Sequence, residues 1–202
     1  MRRLLVILLP LCMLACSDTD PMQGGTLLPD DVQLKVGDVV FRRGSGFTSQ
    51  AVLLAERGGA SSHVGIVADS AGVLMIIHAV PGEPDYKGDE DRVKMERPEV
   101  FFAKMRAHEG AVYRHVDSVT ACKAATHAME TYRRGTLFDH DYDDGDTTKM
   151  YCTELVTHAF RQSSRPLRGV QHQRLQLVGF EADCILPSDL QHCSELKEIT
   201  KF

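Results

Sequence analysis

Two apolar runs joined by a short turn constrain most strongly what this chain can fold into. Residues 61–68 and 73–80 are largely apolar, and Asp69-Ser70-Ala71-Gly72 between them has the composition of a turn. Strands that are apolar on both faces are usually buried on both faces. The pattern therefore predicts an antiparallel hairpin at the centre of a sheet, with His63 in its first strand and His78 in its second.

The register of the hairpin predicts that the two histidines are neighbours. If the turn is symmetric about Ser70 and Ala71, His63 lies directly opposite His78, with Cβ atoms about 4.5–5.5 Å apart. A slip of one residue would place the two side chains on opposite faces. One buried histidine is more often a core residue than a catalyst, but two facing imidazoles both need polar partners.

An amphipathic pattern later in the chain supplies a cysteine at the start of a predicted helix. Cys152, Leu155, Val156, Ala159 and Phe160 recur at the spacing of one helix face. The positive end of the helix and its free N–H groups favour a thiolate at the first position. The competing interpretation is that a buried cysteine acts only as a small apolar side chain.

Cys152, His63 and His78 together predict nucleophilic catalysis. His63 would take the proton of Cys152 to give a thiolate–imidazolium pair, and His78 would bind the far nitrogen of His63 and fix its tautomer. Cys152 would then attack an amide or ester carbonyl, with its own backbone N–H in the oxyanion hole. Tyr142, in the acidic stretch that precedes the helix, is a further candidate for the cleft or the oxyanion hole.

The first fifteen residues are predicted to be a lipoprotein signal peptide. Arg2 and Arg3 precede an apolar run that is too short to span a bilayer as a stable helix. The run ends in Met13-Leu14-Ala15-Cys16, which is similar to a bacterial lipobox, although leucine is usual where Met13 stands. We expect Cys16 to become the lipidated first residue. The alternative is cleavage after Ala15 with Cys16 unmodified.

Removing residues 1–15 leaves 187 of the 202 residues, which suits one domain. We expect residues 16–35 to be a flexible tether and residues 36–202 to form the domain. The loss of two arginines moves the formal charge from −5 to −7, which argues against nucleic acid as a partner. The expected membrane contact is the lipid anchor at Cys16, in the bacterial cell envelope, with the domain facing the periplasm or the exterior.

The sequence predicts neither a metal nor a cofactor. The acidic stretch from Asp139 to Asp146 fails the EF-hand template, because its glycine is seventh rather than sixth and its twelfth residue is Met150. No C-x-x-C motif occurs. An oxidising compartment would permit a disulfide between Cys184 and Cys193. A helix is predicted over 118–134 with one buried face, formed by Val119, Cys122, Thr126, Met129 and Tyr132 or Arg133.

Four short segments, in order, are similar to those of a known family. They are residues 36–41, residues 62–67, Ile77-His78-Ala79 followed by Pro81-Gly82, and Phe138-Asp139 leading to residues 151–156. Together they resemble the circularly permuted branch of the NlpC-type papain-like cysteine amidases, in particular the YiiX-like lipoproteins. In ordinary papain-like enzymes the cysteine helix precedes the histidine strand, whereas here the histidine comes first.

The resemblance implies an α+β, circularly permuted papain-like fold in which a central antiparallel sheet packs against helices, including the nucleophile helix. Cys152 matches the family's nucleophile and His63 its base. His78 departs from the pattern, because many members have glutamate at that position. A histidine that orients the base resembles the arrangement in the lecithin retinol acyltransferase relatives. Glu83 and Asp69 are the alternative residues that could orient His63.

The function expected from residues and resemblance together is an envelope-anchored cysteine hydrolase. It would cleave an amide bond, in a peptidoglycan stem peptide or an acylated small molecule, through a Cys-His-His triad and a thioester. Two alternatives stay open: a lipid-anchored, non-catalytic binding protein on the same scaffold, and a thiol acyltransferase or lipid hydrolase.

Overall fold

The structure, a computed structural model, describes residues 22–55, 59–163, 165–177 and 180–202. The signal peptide, Cys16 and the first part of the tether lie outside the described residues. The elements run in the order β1 (Val39–Gly44), α1 (Phe47–Ala55), β2 (His63–Ser70), β3 (Val73–Val80), β4 (Arg92–Glu96), α2 (Pro98–Phe101), β5 (Ala107–His115), α3 (Ser118–Arg133), β6 (Leu137–Phe138), β7 (Lys149–Met150), α4 (Cys152–Gln162), β8 (Gln173–Leu177), β9 (Phe180–Cys184), α5 (Pro187–Gln191) and β10 (Leu196–Lys201).

The predicted hairpin is β2 and β3, and it lies in the middle of an eight-stranded sheet. The strand order is β10-β5-β1-β2-β3-β4-β6-β7, and β8 and β9 form a separate two-stranded sheet. Neighbouring strands of the large sheet are antiparallel except β6 and β7, which are parallel. The expected α+β class and the expected central antiparallel sheet are therefore confirmed.

Helices α3 and α4 cover one face of this sheet. The apolar stripe predicted for α4 is confirmed, since its members after Cys152 are at most 1% exposed and join the main core: Leu155, Val156, Ala159 and Phe160. The stripe packs against residues of β2 such as Val64 and Ile66, which are fully buried. Packing on the hairpin therefore holds the first turn of α4 at the sheet.

Helix α3 is where the predicted helix lies, but its predicted buried face is wrong in the first half of the helix, whereas Met129 is buried as predicted. Val119 is 63% exposed and Cys122 is also exposed, whereas the buried residues include Ala121, Ala124, Ala125 and Ala128. A Cβ atom on Gly37 would come within 2.5 Å of Ala121, so the helix passes too close to the segment before β1 for a large side chain at that point. Close approach selects the alanine stripe over the more hydrophobic one.

The second face of the sheet is covered by α2 and by residues 27–34. The fully buried Phe101 and Phe102 form a second apolar cluster there, against which Leu27, Leu28, Val32, Leu34 and Phe202 pack. The backbone N–H of Leu27 donates to the carbonyl of Phe102 over 2.8 Å. Within the described residues, the tether expected over 16–35 therefore ends before Leu27.

Cys184 and Cys193 are both buried and both free, so the permitted disulfide is not formed. None of the helices in the described ranges combines the length and the apolar character that a membrane crossing requires.

Candidate active site

The two histidines of the hairpin are neighbours, but not through the predicted register. The turn is centred on Ala71 and Gly72, with φ values of 55° and 83°, instead of on Ser70 and Ala71. Positive φ at both central positions is the type I′ pattern of two-residue hairpins. The observed register places His63 diagonally from His78 rather than opposite it. Because the shift is two residues, both side chains keep the same face.

The rings of His63 and His78 can approach each other because the residue across from His78 is a glycine, which has no side chain. Continuing the register puts Gly65 across from His78, and a Cβ there would lie 2.6 Å from Ile76 and 3.2 Å from the Cβ of His78. With that space open, His63 Nε2 lies 2.8 Å from His78 Nδ1. Both histidines are buried, and the Phe101 ring covers them with centroid distances of 5.7 and 5.2 Å.

Beyond His78 the polar contacts continue to a carboxylate that the sequence did not single out. His78 Nε2 lies 2.9 Å from Glu96 Oε1, although the ring N–H is not well aligned on that oxygen. Arg106 Nη1 donates to Glu96 Oε2 over 2.7 Å. The signal available in the sequence is a charged residue at the end of a strand whose other face carries Val93 and Met95.

Neither of the alternative orienting residues contacts the histidines. Asp69 accepts the backbone N–H of Gly72 in the hairpin turn, over 3.1 Å. Glu83 pairs with Arg42 and lies 3.2 Å from Arg106. The structure thus places His78, and not Glu83 or Asp69, against His63.

Cys152 is the first residue of α4, as predicted, and it lines a pocket of about 600 Å³ together with His63 and Tyr142. The helix packs on one face of the sheet, whereas His63 and His78 lie on the other. Cys152 and His63 are each the first residue of their element, and both side chains adjoin the same pocket. Among the described residues no hydrogen bond joins their side chains, and such contacts often tighten only when substrate binds.

Burial favours the neutral forms of both Cys152 and His63. It raises the pKa of the Cys152 thiol to about 11, despite nearby backbone N–H groups that favour the thiolate. Burial, then the charge of Arg42 and the proximity of His78, lower the pKa of His63 well below its usual value. Both shifts disfavour the thiolate–imidazolium pair that the helix dipole favours.

Tyr142 lies in the pocket with a backbone φ of 56°, which few residues other than glycine adopt. Its ring stands between those of Phe138 and Tyr151, at centroid distances of 5.9 and 5.3 Å. Burial raises the pKa of Tyr142 well above its ordinary value, so the phenol stays protonated and can donate a hydrogen bond. The structure therefore brings the cleft residue predicted from the sequence to the same pocket as Cys152.

The acidic stretch before α4 uses its carboxylates on its own backbone. Asp139 accepts the N–H groups of Asp141 and Asp143, and Asp146 accepts that of Thr148. In the described part of the chain, no group of three or more His, Cys, Asp or Glu side chains is placed to hold a metal ion.

Glu154, in the first turn of α4, is a buried carboxyl group beside this stretch. Its Oε2 accepts the backbone N–H of Tyr151 over 3.3 Å. Burial, together with the negative charges of Asp144 and Asp139, raises the pKa of Glu154 to about 8. Glu154 is therefore largely neutral at pH 7 and leaves the positive end of the helix uncompensated beside Cys152.

Replacing Glu154 with glutamine should change how stability depends on pH. The folded protein keeps a proton on Glu154 that the unfolded chain loses above its ordinary pKa near 4.5, so this group lowers stability as pH rises from 4.5 to 8. The free energy of unfolding of E154Q, from urea titrations at pH 5 and pH 8, should rise relative to wild type at the higher pH. The exposed Glu109 provides the control E109Q, and parallel curves for wild type and E154Q would refute the assignment.

Comparison with solved structures identifies a fold that this chain shares. The crystal structure of metalloprotein YiiX from Escherichia coli O157:H7 superposes with a TM-score of 0.64 at 17% identity, covering 85% of this chain and 99% of that one. No family model matches the sequence, and no curated protein matches it. At this identity the likeness concerns the fold alone, and the chain accordingly has a YiiX-like fold.

Proposed function

We propose that this protein is an envelope-anchored cysteine hydrolase that cleaves an amide bond through Cys152, His63 and His78. One observation carries the proposal: Cys152 at the start of α4 and His63 at the start of β2 adjoin one pocket, and His78 holds the far nitrogen of His63. The order of these elements, histidine strands before the cysteine helix, is the basis for describing the fold as a circularly permuted papain-like one.

Because burial favours the neutral forms of Cys152 and His63, proton transfer accompanies attack. His63 accepts the thiol proton as the Cys152 sulfur bonds to the carbonyl carbon, and the carbonyl oxygen takes the negative charge. The backbone N–H of Cys152 and the phenol of Tyr142 are the donors proposed to stabilise that oxyanion. His63 then returns the proton to the leaving amine, and a water activated by His63 hydrolyses the thioester.

A metal does not enter this proposal. YiiX is described as a metalloprotein. In this chain the nitrogens of His63 and His78 that lie closest bind each other, and the described residues contain no cluster of three potential ligands. The residues present therefore do not fit a metal centre at this pocket.

The proposal is tested by trapping the thioester. Wild-type protein is incubated with a panel of p-nitrophenyl esters and coumarin anilides, and acyl adducts are located by intact and peptide mass spectrometry. We expect a hydroxylamine-sensitive adduct on Cys152, absent in C152S. The exposed Cys122 is an internal control. Acylation that reaches Cys122 before Cys152 would contradict the proposal, and would favour a non-catalytic binding protein.

The anchor is proposed from the sequence, since Cys16 lies outside the described residues. Changing Cys16 to serine should move the protein from the membrane fraction to the soluble fraction, because lipidation supplies the acyl chains that hold it. Fractionation with C122S as the control measures this. An unchanged membrane fraction for C16S would refute the lipobox interpretation.

A further inference from the structure

We propose that Glu96, held by Arg106, is a positioning residue that sets the order of protons along the two histidines, so that His63 presents an unprotonated Nδ1 toward Cys152. The inference rests on the proposed hydrolase and extends it by two residues. Neither Glu96 nor Arg106 belongs to the predicted Cys-His-His triad.

The geometry places Glu96 at the end of one continuous chain of contacts. Strand β4 pairs with β3 so that Lys94 faces His78, and Glu96, two residues further along, shares that face of the sheet. The distances from His63 Nε2 to His78 Nδ1 and from His78 Nε2 to Glu96 Oε1 are 2.8 and 2.9 Å. His63 is 5% exposed, His78 0% and Glu96 8%, so bulk water offers these atoms few other partners.

The groups around Glu96 keep it ionised. Burial alone would raise the pKa of this carboxyl, but the contact with His78 and the positive charges of Arg106 and Arg42 hold it well below its usual range. Arg106 comes from the segment before β5, Arg42 from β1 and His78 from β3. Lys94, on the same strand, is committed elsewhere, since its ammonium binds the carbonyl of Glu83 and lies 2.6 Å from Asp85.

An ionised carboxylate fixes the positions of the protons. It can only accept, so the nitrogen of His78 that faces Glu96 carries the proton. In a neutral His78 the other nitrogen, Nδ1, must then accept, and it can accept only from a protonated Nε2 of His63. The remaining nitrogen of His63, Nδ1, is left with a lone pair. That is the nitrogen a base needs to take the proton of Cys152.

Arg106 also ties this arrangement to the pocket wall. The same Nη1 atom that donates to Glu96 lies 3.2 Å from Glu83 Oε2. Glu83 lines the pocket and also pairs with the fully buried Arg42. The carboxylate that sets the histidine protons is thus held by a side chain that itself lines the pocket.

The test compares E96Q with D38N in the full-length protein. Asp38 is a buried carboxylate bound to Arg114 and has no contact with the histidines, so D38N is a matched carboxylate-to-amide control. Two-bond ¹H–¹⁵N spectra of ¹⁵N-histidine-labelled protein report which nitrogens are protonated, with peaks assigned through H63Q and H78Q. We expect an unprotonated His63 Nδ1 in wild type and D38N, and a mixed or reversed tautomer in E96Q.

Activity gives the second readout. E96Q should lower the rate of acylation of Cys152 by about 10²- to 10⁴-fold, the range for losing a general base or its correct tautomer. D38N should leave that rate within a few fold. If E96Q does not fold, R106Q serves instead, and the acid limb of its pH–rate profile should move to higher pH, because Glu96 loses its closest cation.

The outcomes separate the two proposals. The positioning role would be overturned if E96Q kept the wild-type His63 tautomer. If R106Q is used instead, the role would be overturned by a tautomer that is unchanged at every pH together with an acid limb that does not move. A tautomer that changes in E96Q while wild type forms no acyl adduct would instead sustain the positioning role and refute the hydrolase.

Discussion

Turnover should fall by at least about 10⁴-fold when Cys152 is replaced by alanine, because the proposed covalent step has no other nucleophile. H63A should cause a loss of similar size, since the buried thiol has a pKa of about 11 and is not ionised without a base. The C152A/H63A double variant should be no worse than either single variant, because residues that act as one unit are not additive. H78Q should keep part of the activity, since His78 orients the base and is not the base itself.

The measurement is kcat/KM on whichever substrate acylates the wild type. C122A is the matched cysteine control. Cys122 is an exposed thiol on α3, so its replacement should leave kcat/KM unchanged. Thermal unfolding of C152A should stay close to wild type, since the change removes only one sulfur from a half-buried position. Additive losses in the double variant would mean that Cys152 and His63 do not act together.

The largest expected effect on stability comes from Arg42. Its guanidinium is 2% exposed, donates to the carbonyl of Phe101 over 2.9 Å, pairs with Glu83, and lies 4.7 Å from the centroid of the Phe101 ring. Changing Arg42 to methionine keeps an apolar stem but leaves Glu83 and Glu96 with less compensating charge. Removing one partner of a buried ion pair costs about 3–5 kcal/mol, and we expect R42M to lose an amount in this range.

Urea unfolding measures this loss of stability as a lower midpoint concentration of urea, provided that the m-value stays constant. The double variant R42M/E83Q should recover part of it, because the glutamine no longer needs a cation. R43M is the control, since Arg43 is the next residue and is only partly buried. If R42M lowers the free energy of unfolding by less than about 1 kcal/mol, the ion pair of Arg42 contributes no more than an exposed ion pair does, and the prediction is wrong.

Local patterns predicted the hairpin and the nucleophile helix well. The hairpin register was wrong by two residues because Ala71, with φ of 55°, occupies a conformation that the sequence does not suggest for alanine. The predicted face of each histidine was nevertheless correct, because side chains alternate with a period of two and a shift of two residues leaves them on the same face. Cys152 at the start of α4 followed from the 3.6-residue period alone.

What could not be predicted depends on packing between distant segments. The alanine face of α3 is decided by how closely Gly37 approaches the helix, and hydrophobicity pointed to Val119 instead. Glu96 and Arg106 reach the histidines through strand pairings that a single sequence does not specify. The preference of Cys152 and His63 for their neutral forms likewise follows from desolvation in the folded chain, which a local pattern does not report.

The cover over the histidine pair has a consequence for how the chain folds. Phe101 lies on both rings, while Phe102 beside it binds Leu27 and stacks edge-on against Phe202 at a centroid distance of 5.1 Å. These partners come from nearly opposite ends of the described chain, and contacts of high sequence separation form slowly. Shielding of the two imidazoles is therefore expected to be a late, cooperative event in folding, completed only after the strands beneath it have paired.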